Sequence, residues 1–361
     1  MKTYADPRER INRVEEELRG RPRKWLVTGA AGFIGSHLVE RLLRLGQKVV
    51  GLDNFATGKR ENLFHVKNAV GDARWRGFRF IEGDIRRLET CREACGEAEY
   101  VLHEAALGSV PRSIDDPIAS TDNNVGGFLN MLVAARDAGV SRFVYASSSA
   151  VFGDHPAMPK VEAQIGAAVS PYGLSKHINE LYAAVFARLY GFDSIGLRYF
   201  NVFGPRQDPD GAYPSVIPAF IGALLRGQTA YINGDGSFSR DFCHVDNVVQ
   251  ANLLSATVED PAALNQAYNV ALGGETTLNE LFELIRGLLA QHLPQLRNAR
   301  PVHREVRKGD IAFTRADIAK AQRLLGFKPQ VSVKHGLEQT VEWYAAELGS
   351  TGAAPRRVVH A

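Results

Sequence analysis

A tyrosine and a lysine four residues apart, in the segment SPYGLSK, are the residues best suited to catalysis. If this segment is helical, Tyr172 and Lys176 share one face, because residues i and i+4 are neighbours on a helix. A free phenol has a pKa of about 10 and is a poor base at neutral pH. A nearby ammonium lowers that pKa because it favours the phenolate. The pair therefore predicts a base that removes a proton from an alcohol.

A serine cluster upstream of this pair is the second chemical feature. Ser148 and Ser149 end the apolar segment SRFVYASSS, which is typical of a buried strand. Doubly wound sheets bind ligands at the carboxyl ends of their strands, so either serine is placed to hydrogen-bond the same hydroxyl as Tyr172. Taken alone, the heptapeptide is more typical of an exposed aromatic ring and a solvated lysine on an ordinary helix. The surrounding sequence favours catalysis.

The glycine-rich segment TGAAGFIG lies between a predicted strand and a predicted helix. Gly29, Gly32 and Gly35 permit a tight turn and a close backbone approach to a pyrophosphate. That anion is then held at the positive N-terminus of the following helix. The segment predicts a dinucleotide site.

Asp53 ends the second predicted strand and indicates which dinucleotide is bound. A carboxylate at this position accepts hydrogen bonds from both adenosine ribose hydroxyls and repels a 2′-phosphate, which favours NAD over NADP. Lys59 and Arg60 follow closely and leave room for NADP. The structural alternative for Asp53 is an ordinary turn aspartate, which the spacing makes the weaker interpretation.

The elements that must position these groups alternate along the chain. Apolar strands separated by helices predict a parallel sheet covered on both faces. Beyond Gly204, segments rich in Gly, Pro and Asp predict loops over a site, followed by short helices. The fold class is therefore α/β: a doubly wound parallel (Rossmann) sheet with a smaller, discontinuous α/β C-terminal substrate domain. We expect a helical extension over 1–19, a cofactor domain over 20–202 plus 240–268, a substrate domain over 203–239 plus 269–347, and a disordered tail over 348–361.

Composition narrows the class of protein. The chain has 361 residues and a formal net charge of +3, with no long Lys/Arg run, so nucleic acid is not an expected partner. Cys91, Cys95 and Cys243 are too few for a disulfide framework, and no metal site is expected. The charged N-terminus has no apolar core, and no apolar run reaches the length of a membrane span. We expect a cytoplasmic protein that contacts no membrane.

Longer motifs over both predicted domains carry a family resemblance. TGxxGxxG, the strand-ending Asp, the serines and YxxxK together resemble the extended short-chain dehydrogenase/reductase family. Within that family, the chain resembles bacterial UDP-N-acetylglucosamine 4-epimerases of O-antigen pathways. This closer resemblance rests on the segments GLDNFATG, HEAALGSVPRSIDDP, LRYFNVFGPRQDPDGAY, YINGDGSFSRDF and RKGDIAFTRADIAKA. The resemblance covers roughly residues 8–347. It implies tightly bound NAD, oxidation of the sugar at C4, rotation of the 4-keto sugar, and return of the hydride to its other face.

The resemblance also implies roles for individual residues. Tyr172 is the base, Lys176 tunes it and holds the nicotinamide ribose, and Ser148 with Ser149 orients the 4-hydroxyl. The other cofactor positions implied are Gly29, Gly32, Phe33, Ile34, Gly35, Asp53, Asn54, Asp84, Ile85, Ala105, Ala106, Asn123 and Tyr199. The other substrate positions implied are Gly108, Ser109, Val110, Asn201, Ser215, Val216, Tyr231, Asn233, Arg240, Arg307, Asp310 and Thr314. A guanidinium can grip phosphate oxygens through two parallel hydrogen bonds, although a surface salt bridge is the ordinary role of such arginines.

Thr314 is the most informative single position in the resemblance, and Ala150 is a departure from it. Thr314 matches the position that limits the room beside the sugar's C2 substituent, and a threonine leaves space for an N-acetyl group. We expect UDP-GlcNAc and UDP-GalNAc as substrates, with UDP-glucose and UDP-galactose weaker. Relatives carry serine where this chain has Ala150, so Ala150 is given no chemistry.

Other functions stay open at this stage. A UDP-hexuronate 4-epimerase is one alternative. Sugar-nucleotide dehydratases and UDP-glucuronate decarboxylases also resemble the chain but carry a carboxylate near Ser149 or Ala150. A non-catalytic NAD-binding protein is a further alternative, because fold alone does not establish activity. Apolar exposed faces of the helices near 122–138 and 171–190 predict a homodimer.

Overall fold

The structure is a computed structural model that describes residues 7–211, 214–306 and 313–350. Its strands are, in chain order, β1 (Lys24–Thr28), β2 (Lys48–Asp53), β3 (Phe78–Glu82), β4 (Tyr100–His103), β5 (Arg142–Ser148), β6 (Ser194–Tyr199), β7 (Val202–Phe203), β8 (Tyr231–Asn233), β9 (Ser239–Arg240), β10 (Cys243–His244), β11 (Gln266–Val270), β12 (Thr276–Thr277) and β13 (Val302–Arg304).

Seven of these strands form one parallel sheet in the order β11-β6-β5-β4-β1-β2-β3. The order reverses beside β1, so the connections leaving β1 and β4 diverge and open a crevice at the carboxyl edge. The strands are apolar on both sides, as a sheet covered on both faces requires. The predicted fold class is confirmed.

The α-helices are α1 (Pro7–Gly20), α2 (Phe33–Arg44), α3 (Arg60–Trp75), α4 (Leu88–Cys95), α5 (Val110–Asp115), α6 (Pro117–Thr121), α7 (Phe128–Asp137), α8 (Pro171–Tyr190), α9 (Val216–Leu225), α10 (Val245–Thr257), α11 (Leu278–His292), α12 (Ala319–Leu325) and α13 (Val333–Ser350). Side chains of α1, α2 and α10 pack on one face of the sheet. Side chains of α4, α7 and α8 pack on the other. We call the sheet with these helices the sheet lobe.

A second core joins α9, α11 and α13 with β8, and we call this unit the helical lobe. Phe220 and Phe282 meet edge to face there, with ring centroids 5.7 Å apart. Short strand pairs border the lobe: β8 with β13, and β9 with β12. These pairs join segments that are distant in sequence.

The loop after β7 is fastened to α2 of the sheet lobe. The Arg206 guanidinium donates to Glu40 at 2.7 Å and to His37 Nδ1 at 2.8 Å. His37 Nε2 lies 2.9 Å from the Pro205 carbonyl. Burial and the neighbouring Arg206 cation hold the pKa of His37 well below its usual value, so the ring is neutral and donates through Nε2. The start of the helical lobe is thereby held against the sheet lobe.

Three local features differ from the sequence expectations. The sequence reasoning missed α3, whose pattern is weak because only Asn62, Val66 and Val70 of this helix are buried, and Gly71 breaks it at φ 77°. The helix expected from about residue 122 starts with a π-helical turn, Asp122–Gly127. Helix α13 continues to Ser350, which is inside the segment expected as a disordered tail, and 351–361 lie outside the described residues.

Further findings concern cysteines, metals and membranes. Cys91, Cys95 and Cys243 are free and buried, and burial raises the pKa of Cys91 to about 12. Within the described ranges, no three His, Cys, Asp or Glu side chains are grouped to hold a metal ion. Among the helices described here, none combines the length and apolar character needed to cross a membrane.

Candidate active site

A cavity of about 360 Å³ opens at the carboxyl edge of the sheet, between β1 and β4. It contains most of the predicted cofactor residues. The predicted residues that line it are Gly29, Gly32, Phe33, Ile34, Gly35, Asp53, Asn54, Ile85, Ala105, Ala106, Gly108, Asn123, Ser148, Tyr172, Lys176, Tyr199 and Asn201. Sequence positions from separate segments of the chain are therefore brought to one place.

The glycine turn lies at one end of this cavity. Gly29 has φ 66°, in the region that favours glycine, and a Cβ there would lie 2.9 Å from the Ala105 nitrogen. A Cβ on Gly35 would lie 2.0 Å from the Gly29 carbonyl oxygen, so α2 can start this close to the turn only with glycine. No side chain caps the N-terminus of α2. Its free N–H groups fit a dinucleotide pyrophosphate.

Asp53 lies beside the turn, with 8% of its surface exposed. Its two carboxylate oxygens accept hydrogen bonds from the Ala31 nitrogen at 2.9 Å and the Phe55 nitrogen at 2.8 Å. Burial raises the pKa of Asp53, and these donors oppose that rise. The remaining lone pairs of this carboxylate can accept hydrogen bonds from ribose hydroxyls. Lys59 and Arg60 are paired with Asp208 at 2.7 Å and Glu82 at 2.8 Å, so neither stands ready for a 2′-phosphate.

Asp84 and Asn54, two of the cofactor positions that the resemblance implies, form a polar pair. Asn54 Nδ2 donates to Asp84 at 3.0 Å, and Arg86 donates to the same carboxylate at 2.6 Å. The Arg86 hydrogen bond is the largest reason why the pKa of Asp84 falls to about 2. Ile85 lines the cavity directly. Asp84 does not line it but accepts a hydrogen bond from Asn54, which does.

The N-terminus of α8 positions Tyr172 and Lys176. Ser170 caps the helix by accepting from the Gly173 nitrogen at 3.1 Å, and Pro171 occupies the first turn. Lys176 is 3% exposed, and its Nζ donates to the Ala146 carbonyl at 2.8 Å. The ammonium lies 5.9 Å from the centroid of the Tyr172 ring. Both residues line the cavity, as the i, i+4 spacing predicts.

The expected lowering of the Tyr172 pKa does not arise from the chain alone. Burial raises the pKa of Tyr172, a hydrogen bond from Ser148 opposes the rise, and the charge of Glu104 adds to it. Burial also lowers the pKa of Lys176 to about 8. The expectation was wrong in direction because it counted the neighbouring charge and left out the loss of water.

The two predicted serines are placed differently. Ser148 lines the cavity, and its Oγ accepts from the Ala150 nitrogen at 3.1 Å, while its one hydroxyl hydrogen faces the Tyr172 phenol. Ser149 begins a 3₁₀ turn and is not among the described residues that line the cavity. The geometry favours Ser148 as the partner of a substrate hydroxyl.

Predicted substrate positions continue from the cavity toward the helical lobe. Asn201 Nδ2 donates to the Asp241 carbonyl at 3.1 Å and lies 3.4 Å from Thr314 Oγ1, so these segments meet beside the cavity. Arg240 donates to the Ser239 carbonyl at 2.9 Å, and Ser239 also accepts from the Thr314 nitrogen at 3.2 Å. This part of the predicted set is brought together.

The other predicted substrate positions are more dispersed. Tyr231 and Asn233 lie on β8, with the Arg304 guanidinium 3.1 Å from the centroid of the Tyr231 ring. Ser215 and Val216 lie at the start of α9, and Ser109 and Val110 at the start of α5. None of these six is among the described residues that line the cavity. Arg307 and Asp310 fall outside the described residues.

Two carboxylates of this region, the half-buried Glu104 and the buried Asp241, were missed in the sequence analysis. Glu104 lines the cavity and accepts from the Tyr199 hydroxyl at 2.8 Å, and burial raises its pKa to about 7. Asp241 accepts three backbone N–H groups at 3.0–3.1 Å, and burial raises its pKa to about 6. For Glu104 a signal was present, because an acidic residue directly follows the buried strand YVLH.

Comparison with known proteins places the chain in a family. A model of the NAD dependent epimerase/dehydratase family matches residues 25–271. A UDP-glucose 4-epimerase of Mycolicibacterium smegmatis is 40% identical over 88% of this chain and 97% of its own. A UDP-glucuronate 4-epimerase of Thermodesulfobacterium geofontis is 31% identical over 88% of this chain and 95% of its own.

A solved structure is similar over almost the same extent. A UDP-N-acetylglucosamine 4-epimerase from Methanobrevibacter ruminantium, in complex with UDP-N-acetylmuramic acid, superposes with a TM-score of 0.82 and is 36% identical. The match covers 90% of this chain and 99% of that one.

The chain belongs to the NAD-dependent epimerase/dehydratase family. It is an NAD-dependent enzyme of the epimerase type, and the family resemblance and the NAD cofactor expected from the sequence are confirmed.

Proposed function

We propose that this enzyme is a UDP-N-acetylglucosamine 4-epimerase that interconverts UDP-GlcNAc and UDP-GalNAc and acts more weakly on UDP-glucose and UDP-galactose. The observation that carries this substrate choice is Thr314, a small residue, 8% exposed, that contacts Asn201, which lines the cavity. A threonine here leaves room for a C2 N-acetyl group. The similarity to a UDP-N-acetylglucosamine 4-epimerase with 36% identity supports the same choice.

The chain's own residues support proton transfer at the sugar's C4 hydroxyl. Tyr172 takes the proton, and Ser148 donates to the phenol oxygen and so favours its ionised form. Lys176 is held by the Ala146 carbonyl, facing the same cavity. When bound, NAD supplies the oxidant for C4 and a positive ring that favours the phenolate. Tyr172 then returns the proton after the sugar has turned.

The residues around the cavity argue against elimination chemistry. Dehydration and decarboxylation need a carboxyl group near the strand end, where this chain has Ser148, Ser149 and Ala150. Of the described residues lining the cavity, the acidic ones are Asp53 and Glu104. Asp53 lies at the ribose end, and Glu104 is held by Tyr199. Neither is placed as a free proton donor.

The second candidate is a UDP-hexuronate 4-epimerase, which the 31% identity to a UDP-glucuronate 4-epimerase favours. Both candidates are tested in one experiment. Purified enzyme without added cofactor is incubated separately with UDP-GlcNAc, UDP-glucose and UDP-glucuronate, and the anomeric protons are followed by NMR. We expect UDP-GalNAc to appear fastest. Conversion of UDP-glucuronate alone would replace the proposal with the second candidate, and no conversion of any of them would refute both.

We further propose that the enzyme is a homodimer joined through α8. Leu174, Leu181, Val185 and Leu189 follow one another at helical spacing on this helix, with 41–69% of each exposed. Ile118 of α6 is 73% exposed nearby in the fold. A stripe of this size on a helix that also carries the catalytic pair is typical of an interface. The large side chains of α7 are buried or partly buried, so α8 is the main candidate of the two predicted helices.

Sedimentation velocity tests the dimer. We expect the wild-type enzyme to sediment as a dimer, and a Leu181→Lys/Leu189→Lys variant to sediment as a monomer because two charges enter an apolar contact. Phe64→Lys is the matched control, since Phe64 is 62% exposed on α3 and the variant should stay dimeric. A monomeric wild type, or a double variant that stays dimeric, contradicts this interface.

A further inference from the structure

Glu104 is a carboxylate that the proposed mechanism does not use, although it lines the same cavity as Tyr172 and Lys176. A chain of hydrogen bonds fixes it. Asn252 Nδ2 donates to the Tyr199 oxygen at 2.9 Å, and the Tyr199 hydroxyl donates to Glu104 Oε1 at 2.8 Å. Asn252 is fully buried and Tyr199 is 8% exposed. Each donor points toward Glu104, which is the arrangement that suits an ionised carboxylate.

The charge of Glu104 acts on both residues of α8. It raises the pKa of Tyr172, because a second negative charge opposes the phenolate. It also raises the pKa of Lys176, because it favours the ammonium. Lys176 in turn lowers the pKa of Glu104. One carboxylate therefore opposes proton loss from two groups.

The other titratable groups around Glu104 stay neutral. Burial, and then the charge of Lys176, lower the pKa of His103 to about 3, so this ring at the end of β4 carries no charge. The pKa of Tyr199 on β6 is raised well above its usual value, chiefly by burial. Burial also raises the pKa of the Cys243 thiol on β10. Of these groups, those whose charge changes are therefore Glu104, Tyr172 and Lys176.

We propose that Glu104 is a positioning residue whose charge couples the protonation of Tyr172 to that of Lys176, so that this carboxylate sets the pH range in which the pair is active. This inference rests on the proposed function for its catalytic meaning. When Glu104 is ionised, Tyr172 and Lys176 both keep their protons to higher pH. Removing the charge moves both titrations to lower pH, so the acid and alkaline limbs of the activity profile move together.

The test uses NAD-bound enzyme and Glu104→Gln, which keeps the shape and removes the charge. Phenolate absorbance near ~295 nm is titrated with and without an added Tyr172→Phe substitution, and the difference isolates Tyr172. We expect the Tyr172 midpoint in Glu104→Gln to fall by about one pH unit. The pH profile of kcat/KM for UDP-GlcNAc should shift the same way on both limbs. A Tyr172 midpoint equal to wild type overturns the proposal, even if activity drops.

Control variants separate the coupling from general effects. Glu162→Gln removes a buried carboxylate that lies outside the cavity, and it should leave the Tyr172 midpoint unchanged. If Glu104→Gln does not fold, Glu104→Ala removes the same charge with a smaller side chain, and we expect the Tyr172 midpoint to fall in the same direction. No shift in that variant overturns the proposal. The absorbance titration needs no substrate, so its result stands even if the proposed function fails.

Discussion

The two ends of the cavity are built in different ways. At the cofactor end, Gly29, Gly35 and Asp53 lie within one βαβ unit, and backbone groups make most of the contacts. At the substrate end, Asn201, Asp241 and Thr314 come from segments up to 113 residues apart, and the Asn201 side chain donates to the Asp241 carbonyl and to Thr314 Oγ1. Local sequence dictates the first end, whereas the packing of the helical lobe dictates the second. Substitutions should therefore act on cofactor retention at one end and on substrate choice at the other.

The largest effect is expected where the two ends meet. Tyr172→Phe removes the proton acceptor and should lower kcat for UDP-GlcNAc about 1,000-fold, since general base catalysis contributes on this scale. Bound NAD, measured after denaturation, should stay at the wild-type level. A variant that keeps more than about a tenth of wild-type turnover would mean that another group is the base.

A substitution at the substrate end should change choice rather than chemistry. Thr314→Tyr should lower kcat/KM for UDP-GlcNAc about 100-fold, because the ring fills the space for the C2 substituent. Its kcat/KM for UDP-glucose should change only slightly, as measured by coupled assay or NMR. Thr314→Ser is the matched control and should keep the preference. Full activity of Thr314→Tyr on N-acetylated sugars would count against this role.

A substitution at the cofactor end should have the opposite signature. Asp53→Asn keeps the shape of the turn and removes the charge that faces the ribose. We expect the Kd for NAD to rise about tenfold, and discrimination against NADP to weaken, as measured by calorimetry on cofactor-free enzyme. The ratio of kcat/KM for UDP-GlcNAc to that for UDP-glucose should not change. A changed ratio would contradict the claim that the two ends of the cavity act separately on cofactor retention and substrate choice.

The smallest effect is expected at Asp241, where stability rather than activity is measured. Burial raises the pKa of folded Asp241 to about 6, above its ordinary value of 3.8 in the unfolded chain. The folded protein therefore binds more protons between these values, and its free energy of unfolding falls as pH rises from about 4 to about 6. Asp241→Asn should remove this fall, by an amount on the order of 1 kcal/mol. Urea unfolding of both proteins across that range is the measurement, and parallel curves would contradict it.

The cofactor end of the cavity could be predicted from the sequence because its contacts are local. A Cβ at Gly35 collides with the turn that begins at Gly29, so the glycine spacing records the geometry directly. The Tyr172 and Lys176 spacing fixed their shared direction in the same way. The direction in which the Tyr172 pKa shifts could not be predicted from the sequence, because it depends on burial by segments far apart in the chain.

The substrate end was less readable for a related reason. Asp241 is important because backbone N–H groups of Leu272, Gly273 and Ala316 converge on it, and no local pattern announces this. The role of Glu104 could not be predicted either, because it depends on the hydroxyl of Tyr199, which is two strands away in the sheet and donates to Glu104. The family resemblance supplied Asn201 and Thr314, which residue patterns alone would have missed.

The fastening of Arg206 to α2 has a mechanical consequence. Helix α2 begins at the pyrophosphate turn, and further along it offers His37 and Glu40 to Arg206. The glycine turn of the cofactor site and the attachment of the helical lobe therefore share one helix. We therefore expect a substitution at Arg206 to alter cofactor binding through α2, although Arg206 is not among the described residues that line the cavity.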